Sequence, residues 1–307
     1  MPQLREPHFG DQLIERIREL RHPLCVGLDP HLARIPTPFR RGDMAPGSAT
    51  TADAVGDLLA AVVDRLAGRV AVVKPQSAFF EALGPPGAQL LAQVVRRARS
   101  RGLLVILDAK RGDIGSTAEA YACAYLDRDS PYESDAMTVS PYLGTDTLAP
   151  FLLRCSELGR GLFVLVKTSN PGSGDFQDRD VDGAPLYARV AAALAASERE
   201  LQGSRTRWSS LGVVVGAGYG SAAERVREVL PSALMLIPGY GAQGGTAKDA
   251  VRGLVSGPAG LEGGIVSSSR GLLFPDGACD GSAVDWEQGF ERGLERAIDE
   301  LGAAIAT

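Results

Sequence analysis

Residues 103–113 read LLVILDAKRGD, an unbroken apolar run that gives way to charged residues within one strand length. Continuous apolar runs of roughly four to eight residues are typical of strands in a parallel sheet that is covered on both faces. Seven other runs along the chain have the same character. In chain order, the eight predicted strands are Leu24–Leu28, Val70–Val73, Leu103–Leu107, Ala136–Val139, Leu162–Val166, Val213–Val215, Leu234–Ile237 and Gly264–Val266.

Segments with helical periodicity separate these runs, and a helix over Asp11–Leu20 precedes the first strand. The other predicted helices are Ala54–Leu66, Gln89–Arg99, Ala118–Leu126, Thr147–Leu158, Leu186–Glu198, Ser221–Leu230 and Trp286–Leu301. Eight strands alternating with helices over about 250 residues predict an α/β fold of the (β/α)₈ TIM-barrel type. An open, doubly wound sheet is the alternative.

No linker-like or low-complexity stretch divides the chain, so we expect residues 1–307 to form a single barrel domain. The longest irregular segments are Pro36–Thr51 and Pro171–Gly183. Both are interpreted as loops of this domain. The second follows the carboxyl end of a strand, which makes it a candidate mobile lid.

Composition excludes several classes of protein. Apolar residues make up 45% of the 307 residues and charged residues 22%, which is typical of a globular chain rather than a disordered or fibrous one. The net charge of −5 argues against a nucleic-acid-binding face, which is usually basic. The sequence contains no run of about 18 apolar residues, the length that would predict a membrane span. The polar segment Met1–Gly10 has no signal-peptide character. We therefore expect a cytoplasmic protein.

Cysteine and histidine positions give no sign of a metal site. The cysteines are scattered without C-x-x-C spacing, so buried free thiols are expected rather than a zinc site or a disulfide framework. They are Cys25, Cys123, Cys155 and Cys279. The three histidines, His8, His22 and His31, all lie in the first tenth of the chain. A histidine-rich metal site or a Ser-His-Asp triad is therefore not expected.

Charged residues follow the second and third predicted strands directly. Lys74 comes after Val73, and Asp108 and Lys110 follow the third run with Asp113 beyond a glycine. Residues i and i+2 of a strand point to the same side, and the carboxyl ends of barrel strands meet at one mouth. We therefore expect an alternating Lys-Asp-Lys-Asp set there. The simpler explanations are a helix N-cap for Asp113 and a structural ion pair between Asp108 and Lys110.

Two features near the end of the chain indicate phosphate binding. The glycine-rich stretch Gly239–Gly245 follows the seventh strand, and Arg270 follows the eighth. Such a loop exposes backbone N–H groups to an anion, and an arginine can bind phosphate through two N–H groups. The stretch Gly216–Ser221 does not fit a dinucleotide-binding motif, because Ser221 occupies the third glycine position and no acidic residue follows at the required distance.

The stretch Leu107–Gly115, LDAKRGDIG, resembles the signature of the orotidine 5′-phosphate decarboxylase family. Its D-x-K-x-x-D core is shared with decarboxylases of keto-sugar phosphates, but further segments along most of the chain are similar to the orotidine family. These are Gly27–Asp29, Val73–Pro75, Thr168–Gly172 and Pro238–Gly245. The long loops and the Thr-Ser-Asn-Pro-Gly segment resemble the longer bacterial branch. In the shorter branch a histidine commonly stands where this chain has Asn170.

The resemblance implies roles for the charged set. Asp29 and Lys74 would hold the ribose hydroxyls, and Lys74 would also join the charge network. Asp108 would lie against the substrate carboxylate. Lys110 would stabilise the carbanion formed at C6 and then protonate it. Asp113 and Thr117 would reach into the active site of the neighbouring subunit, which implies a homodimer with shared sites.

The resemblance also implies the remaining contacts to orotidine 5′-monophosphate. Ser169 would contact the pyrimidine. Gln243 and Arg270 would bind the 5′-phosphate, helped by Tyr240 and by the backbone of Ser269. The activity implied is decarboxylation of this substrate to UMP and CO₂, the last step of de novo pyrimidine nucleotide biosynthesis.

The residues fit this chemistry on independent grounds. Loss of CO₂ from C6 leaves a carbanion with no acceptor to delocalise it, and the sequence contains no fingerprint of a cofactor that would serve as electron sink. Fixed charges must then stabilise the transition state. The alternatives are a metal-dependent keto-sugar-phosphate decarboxylase or epimerase, a Schiff-base aldolase using Lys110 or Lys74, and a non-catalytic phosphate-binding barrel.

Overall fold

The structure, a computed structural model, describes residues 7–241 and 244–306. A closed barrel of eight parallel strands forms its centre, and each strand pairs with the next in chain order until the last pairs with the first. The barrel strands β1–β8 are Leu24–Leu28, Val72–Pro75, Leu104–Arg111, Ala136–Val139, Gly161–Lys167, Leu211–Val215, Leu234–Ile237 and Gly264–Ser268. The predicted (β/α)₈ barrel is confirmed.

Helices surround the barrel and connect its strands. They are Phe9–Leu20, Ala49–Leu66, Ser77–Glu81, Gly84–Ser100, Gly115–Leu126, Ala149–Leu158, Leu186–Ala193, Ala195–Glu200, Gly220–Val229, Ala247–Ala250, Arg270–Leu273 and Ala283–Ile305. Short 3₁₀ helices are found at Leu32–Arg34, Thr37–Phe39, Thr145–Leu148 and Pro171–Asp175. Two small antiparallel hairpins lie outside the barrel, Asp180–Val181 with Ala184–Pro185 and Val255–Gly257 with Gly260–Glu262.

Three strands, β1, β4 and β7, have the predicted bounds. The third strand differs most, because it continues through the charged residues to Arg111 instead of ending at Leu107. Polarity marks where a strand leaves the core, but pairing with a neighbour decides where it ends. The predicted helix over Leu186–Glu198 is in fact two helices that meet at Leu194.

The first helix, Phe9–Leu20, closes the amino-terminal end of the barrel. The Phe9 backbone N–H donates to the Gly159 carbonyl just before β5, at 2.9 Å. The Phe9 ring packs edge-on against Phe163 inside the barrel, with ring centroids 6.0 Å apart. Gly161 leaves room for this contact, since a Cβ there would lie 2.4 Å from the Phe9 ring. The interior is thus sealed at this end, and the polar strand ends are gathered at the other.

Candidate active site

The Asp108 carboxylate lies at the centre of the barrel mouth. Its Oδ2 accepts a hydrogen bond from Lys74 Nζ at 2.7 Å, and its Oδ1 accepts one from Lys110 Nζ at 2.6 Å. Lys74 and Asp108 are buried, whereas 43% of the Lys110 side chain is exposed. The structure therefore brings together three of the four residues of the predicted Lys-Asp-Lys-Asp set, and Lys110 is the member that faces open space.

The ion pairs keep this group charged. Burial alone favours the neutral acid, but the ammonium groups of Lys74 and Lys110 outweigh it and hold the pKa of Asp108 well below its usual range. Burial also opposes the charge on Lys74, but the carboxylates of Asp108 and Asp29 outweigh it and raise the pKa of Lys74 well above its usual range. Asp108 is therefore ionised and Lys74 protonated throughout the neutral pH range.

Lys110 reaches Asp108 by a different route from the one predicted. A regular strand would place residues 108 and 110 on one side, but Lys110 has a left-handed backbone with φ of 48°. The pairing register between β3 and β4 also shifts between Leu107 and Arg111. The two side chains still meet, because the irregular backbone turns the Lys110 side chain toward Asp108.

Asp113 lies apart from the other three charged residues. Its Oδ1 accepts a hydrogen bond from the Ile114 backbone N–H at 2.8 Å. The following helix begins at Gly115 with Ile114 in the capping position, so the interpretation of Asp113 as an N-cap is wrong. Asp113 also precedes the helix, so the four-residue spacing between Asp113 and the exposed Thr117 does not place both residues on one helix face. Neither residue lines the cavity of its own chain.

A cavity of about 730 Å³ opens above the charged group. Its volume is in the range of small-molecule sites, which are typically about 300–1,000 Å³. It is lined by most of the residues that the sequence singled out: Asp29, Lys74, Asp108, Lys110, Ser169, Tyr240, Ser269 and Arg270. These residues come from the ends of β1, β2, β3, β5, β7 and β8, because the carboxyl ends of all eight strands meet at this mouth.

Two polar atoms on one side of the cavity are buried without a hydrogen-bond partner. They are Asp29 Oδ1 and Ser269 Oγ. Gly27 makes their approach possible, since a Cβ there would lie 2.7 Å from Ser269 Cβ and 3.2 Å from Asp29 Oδ2. Buried polar atoms normally have partners, so orphaned ones beside a cavity mark a place where a hydroxyl or an anion can bind.

The glycine-rich loop after β7 has three glycines with positive φ, Gly239, Gly241 and Gly244. Gln243 lies outside the described residues. Tyr240 lines the cavity, but its hydroxyl donates to Glu300 Oε2 at 2.6 Å. Burial and the neighbouring Glu300 carboxylate raise the pKa of Tyr240 well above its usual range. Tyr240 therefore keeps its proton, which it donates in the hydrogen bond to Glu300 on the last helix.

Comparison with known protein families identifies one that matches most of the chain. A family model described as orotidine 5′-phosphate decarboxylase / HUMPS family matches residues 22–274. The chain belongs to this family. The resemblance read from the sequence motifs is thereby confirmed.

Curated relatives and solved structures agree with this membership. The orotidine 5′-phosphate decarboxylase of Rhodopirellula baltica is 44% identical over 274 residues, covering 87% of this chain and 88% of its own. That of Nocardioides sp. is also 44% identical, over 265 residues, covering 86% of this chain and 91% of its own. The structure of the Leishmania donovani OMP decarboxylase has a TM-score of 0.72 at 32% identity, covering 97% of this chain and 100% of that one.

Sequence reasoning missed two buried polar residues that contact the site or its loop without lining the cavity. Thr138, in the middle of β4, is fully buried and its hydroxyl contacts Asp108 Oδ1 at 2.9 Å. Lys167, at the end of β5, is 1% exposed and its Nζ lies 2.8 Å from Asp178 Oδ1. The signal was a polar residue inside or directly after an apolar run, where a buried polar group requires a partner.

Lys167 connects the candidate lid to the barrel. Its Nζ also donates to Ser173 Oγ at 3.1 Å and lies 4.3 Å from the centre of the Tyr219 ring. Phe176, in the same loop, lines the cavity although 71% of it is exposed. The segment predicted as a mobile lid is therefore held to the buried Lys167 ammonium by Ser173 near its start and by the half-exposed Asp178 further along. It carries an exposed aromatic residue over the mouth.

The structure also bears on metal sites, membrane spans and free thiols. Among residues 7–241 and 244–306, no group of three or more His, Cys, Asp or Glu residues is placed to hold a metal ion. No helix within those same ranges is long and apolar enough to cross a membrane. All four cysteines are free thiols; Cys25 and Cys155 are buried and the other two are half-buried.

Proposed function

We propose that this chain is a carboxy-lyase that converts orotidine 5′-monophosphate to UMP and CO₂ without a cofactor, in the last step of de novo pyrimidine nucleotide biosynthesis. The observation that carries the proposal is the Lys74–Asp108–Lys110 group at the mouth of the barrel, with Lys74 and Asp108 buried and Lys110 facing the cavity. Family membership and the names of relatives at 44% identity support it.

Fixed charge is the source of catalysis in this proposal. Departure of CO₂ leaves a pair of electrons at C6 of the pyrimidine, and the Lys110 ammonium stabilises this developing charge before giving it a proton. Two unit charges 4 Å apart interact by about 4 kcal/mol at an effective dielectric constant of about 20. The lysine is already held by Asp108, so little reorganisation is needed during the reaction. Asp108 lies against the substrate carboxylate.

Binding energy from the rest of the nucleotide supplies the remainder. Asp29 and Lys74 bind the ribose hydroxyls, which provides a partner for the orphaned Asp29 oxygen. Ser169 contacts the pyrimidine. Arg270, the Ser269 backbone and Gln243 form the set proposed to hold the 5′-phosphate. The Tyr240 hydroxyl donates to Glu300, so that proton is not directed to the phosphate.

We further propose a cytoplasmic homodimer of single-domain subunits, each a barrel over residues 1–307, with Asp113 and Thr117 entering the partner's site. Exposed apolar residues near Asp113 support an interface there. Ile114 is 62% exposed and Tyr142, after β4, is 88% exposed. Exposed apolar side chains grouped on one face are typical of a protein–protein contact.

The test is a direct assay of the purified protein. The absorbance characteristic of orotidine 5′-monophosphate should fall with no metal added. CO₂ should be released in an amount equal to the substrate consumed. The Lys110→Ala variant, purified in parallel, excludes a contaminating host enzyme. Absence of CO₂ release from correctly folded wild-type protein would overturn the proposal.

The alternative hypothesis, a metal-dependent keto-sugar-phosphate decarboxylase, is tested with the same preparation. The protein is given a 3-keto sugar phosphate acid with and without Mg²⁺. Metal-dependent CO₂ release from that substrate, with none from orotidine 5′-monophosphate, would support the keto-sugar-phosphate decarboxylase hypothesis instead.

A further inference from the structure

Thr138 joins the two residues on which the proposed chemistry depends. Its Oγ1 lies 2.9 Å from Asp108 Oδ1 and 2.9 Å from the Lys110 backbone nitrogen. It is fully buried in β4, on the strand next to the one that carries both partners. A single hydroxyl therefore bridges the carboxylate and the main chain of the candidate proton donor.

The direction of both hydrogen bonds follows from the chemistry of the partners. A backbone N–H can only donate, so the Thr138 oxygen accepts from Lys110. An ionised carboxylate can only accept, and the pKa of Asp108 is held low by Lys74 and Lys110 against the effect of burial. The Thr138 proton must then point to Asp108 Oδ1, which fixes the orientation of the hydroxyl.

The bridge coincides with backbone strain. Lys110 has a φ of 48°, a left-handed conformation that costs a residue other than glycine about 1–3 kcal/mol. Strain of this kind persists only where surrounding contacts compensate for it, and the hydrogen bond from Lys110 N to Thr138 is such a contact. Without it, the Lys110 backbone could leave the left-handed region, which would change the direction of its side chain relative to Asp108.

We propose that Thr138 is a positioning residue that acts through Asp108 and Lys110, by holding the carboxylate and the left-handed lysine backbone in one arrangement. The inference rests on the proposed decarboxylation for its kinetic test. Thr138 does not line the cavity and is not expected to touch substrate.

Two substitutions separate the hydroxyl from the shape of the side chain. Thr138→Val keeps the shape and removes both hydrogen bonds, whereas Thr138→Ser keeps the hydroxyl. We expect Thr138→Val to lower kcat about 10- to 100-fold, the loss typical of a hydrogen bond to a charged group. Its affinity for UMP should change by less than about threefold, because the ribose and phosphate contacts remain. Thr138→Ser should retain kcat within about threefold of wild type.

Thr147→Val is the matched control. Thr147 is also buried, and its hydroxyl donates to the Gly144 carbonyl at 2.6 Å, outside the cavity. The control should lower the melting temperature and leave kcat unchanged. If Thr138→Val behaves like this control, or if Thr138→Ser does not restore kcat, Thr138 has only a structural role and the proposal is overturned.

A crystal structure of the Thr138→Val variant gives a readout that does not depend on activity. We expect the Asp108 carboxylate to rotate or Lys110 to leave the left-handed region; unchanged positions of both would refute the inference. An inactive wild type would instead overturn the proposed function and leave this structural test standing. If the valine variant does not fold, Thr138→Cys replaces it, since a thiol is a weak donor. A kcat equal to that of Thr138→Ser would then contradict the proposal.

Discussion

The two ends of the cavity differ in how completely their polar groups are paired. At the reaction end, the Asp108 carboxylate accepts hydrogen bonds from Lys74, Lys110 and Thr138. At the ribose and phosphate end, Asp29 Oδ1 and Ser269 Oγ are buried without partners. The Asp108 carboxylate is thus fully paired within the chain, whereas the ribose and phosphate end offers unpaired polar atoms beside a half-buried arginine, Arg270.

This difference separates catalysis from binding. A charge that is already oriented stabilises a transition state without reorganisation, so changes at the reaction end should act on kcat. Groups that gain partners only with a ligand contribute binding energy, so changes at the other end should act on kcat/KM and depend on the phosphate. Substitutions at each end, mixed subunits and metal removal test this division.

The Lys110→Ala variant should lose nearly all turnover. Removing an ammonium worth about 4 kcal/mol at the carbanion corresponds to a loss of about a thousandfold in kcat. UMP should still bind, as measured by calorimetry, because the phosphate end is untouched. Lys248→Ala, which removes an exposed lysine, is the control and should have full activity. A Lys110→Ala enzyme that keeps more than about a tenth of kcat would show that Lys110 is not the proton donor.

Mixing two inactive variants tests whether sites are shared between subunits. Lys110→Ala and Asp113→Ala should each be nearly inactive. In a mixed dimer with shared sites, one site carries both defects and the other carries neither. Random exchange makes about half of the dimers mixed, so about a quarter of wild-type activity should return.

The exchange itself is verified by mass spectrometry of differently tagged subunits. Verified exchange without recovery of activity would show that each site is built within one chain. Mixing Lys110→Ala with itself in two tagged forms is the control and should restore nothing.

The Arg270→Ala variant should lower kcat/KM for orotidine 5′-monophosphate about 10- to 100-fold, the loss expected for a charge-assisted phosphate contact. Orotidine, which lacks the phosphate, should be converted at the same slow rate by both enzymes. Arg96→Ala removes an exposed arginine from the helix Gly84–Ser100 and serves as the control. Equal losses with both substrates would mean that Arg270 supports the structure rather than the phosphate.

Exhaustive chelation should have the smallest effect, with activity unchanged after dialysis against EDTA. The reaction end is cationic on both sides of Asp108, so it would repel a divalent ion. Activity lost to EDTA and restored by Mg²⁺ would favour the keto-sugar-phosphate chemistry. Enzyme dialysed without EDTA is the control.

The sequence alone determined the barrel and the meeting of its charged strand ends. Continuous apolar runs are required wherever a parallel strand is covered on both faces, so β1, β4 and β7 could be bounded from composition. Because the carboxyl ends of all barrel strands meet at one mouth, Lys74 and Asp108 could be brought together although 34 positions separate them. Local patterning suffices where burial or topology leaves a single arrangement.

The pairing of the polar groups, in contrast, depends on contacts between segments that are distant in the sequence. The Tyr240 hydroxyl bonds Glu300, which lies 60 positions further along the chain, and Thr138 reaches Asp108 from the neighbouring strand. The left-handed Lys110 accompanies a register shift between β3 and β4. Hydrogen bonds are directional and depend on which neighbours the register places within 3 Å or so. Apolar burial has no such directionality, and for that reason it could be read from the sequence.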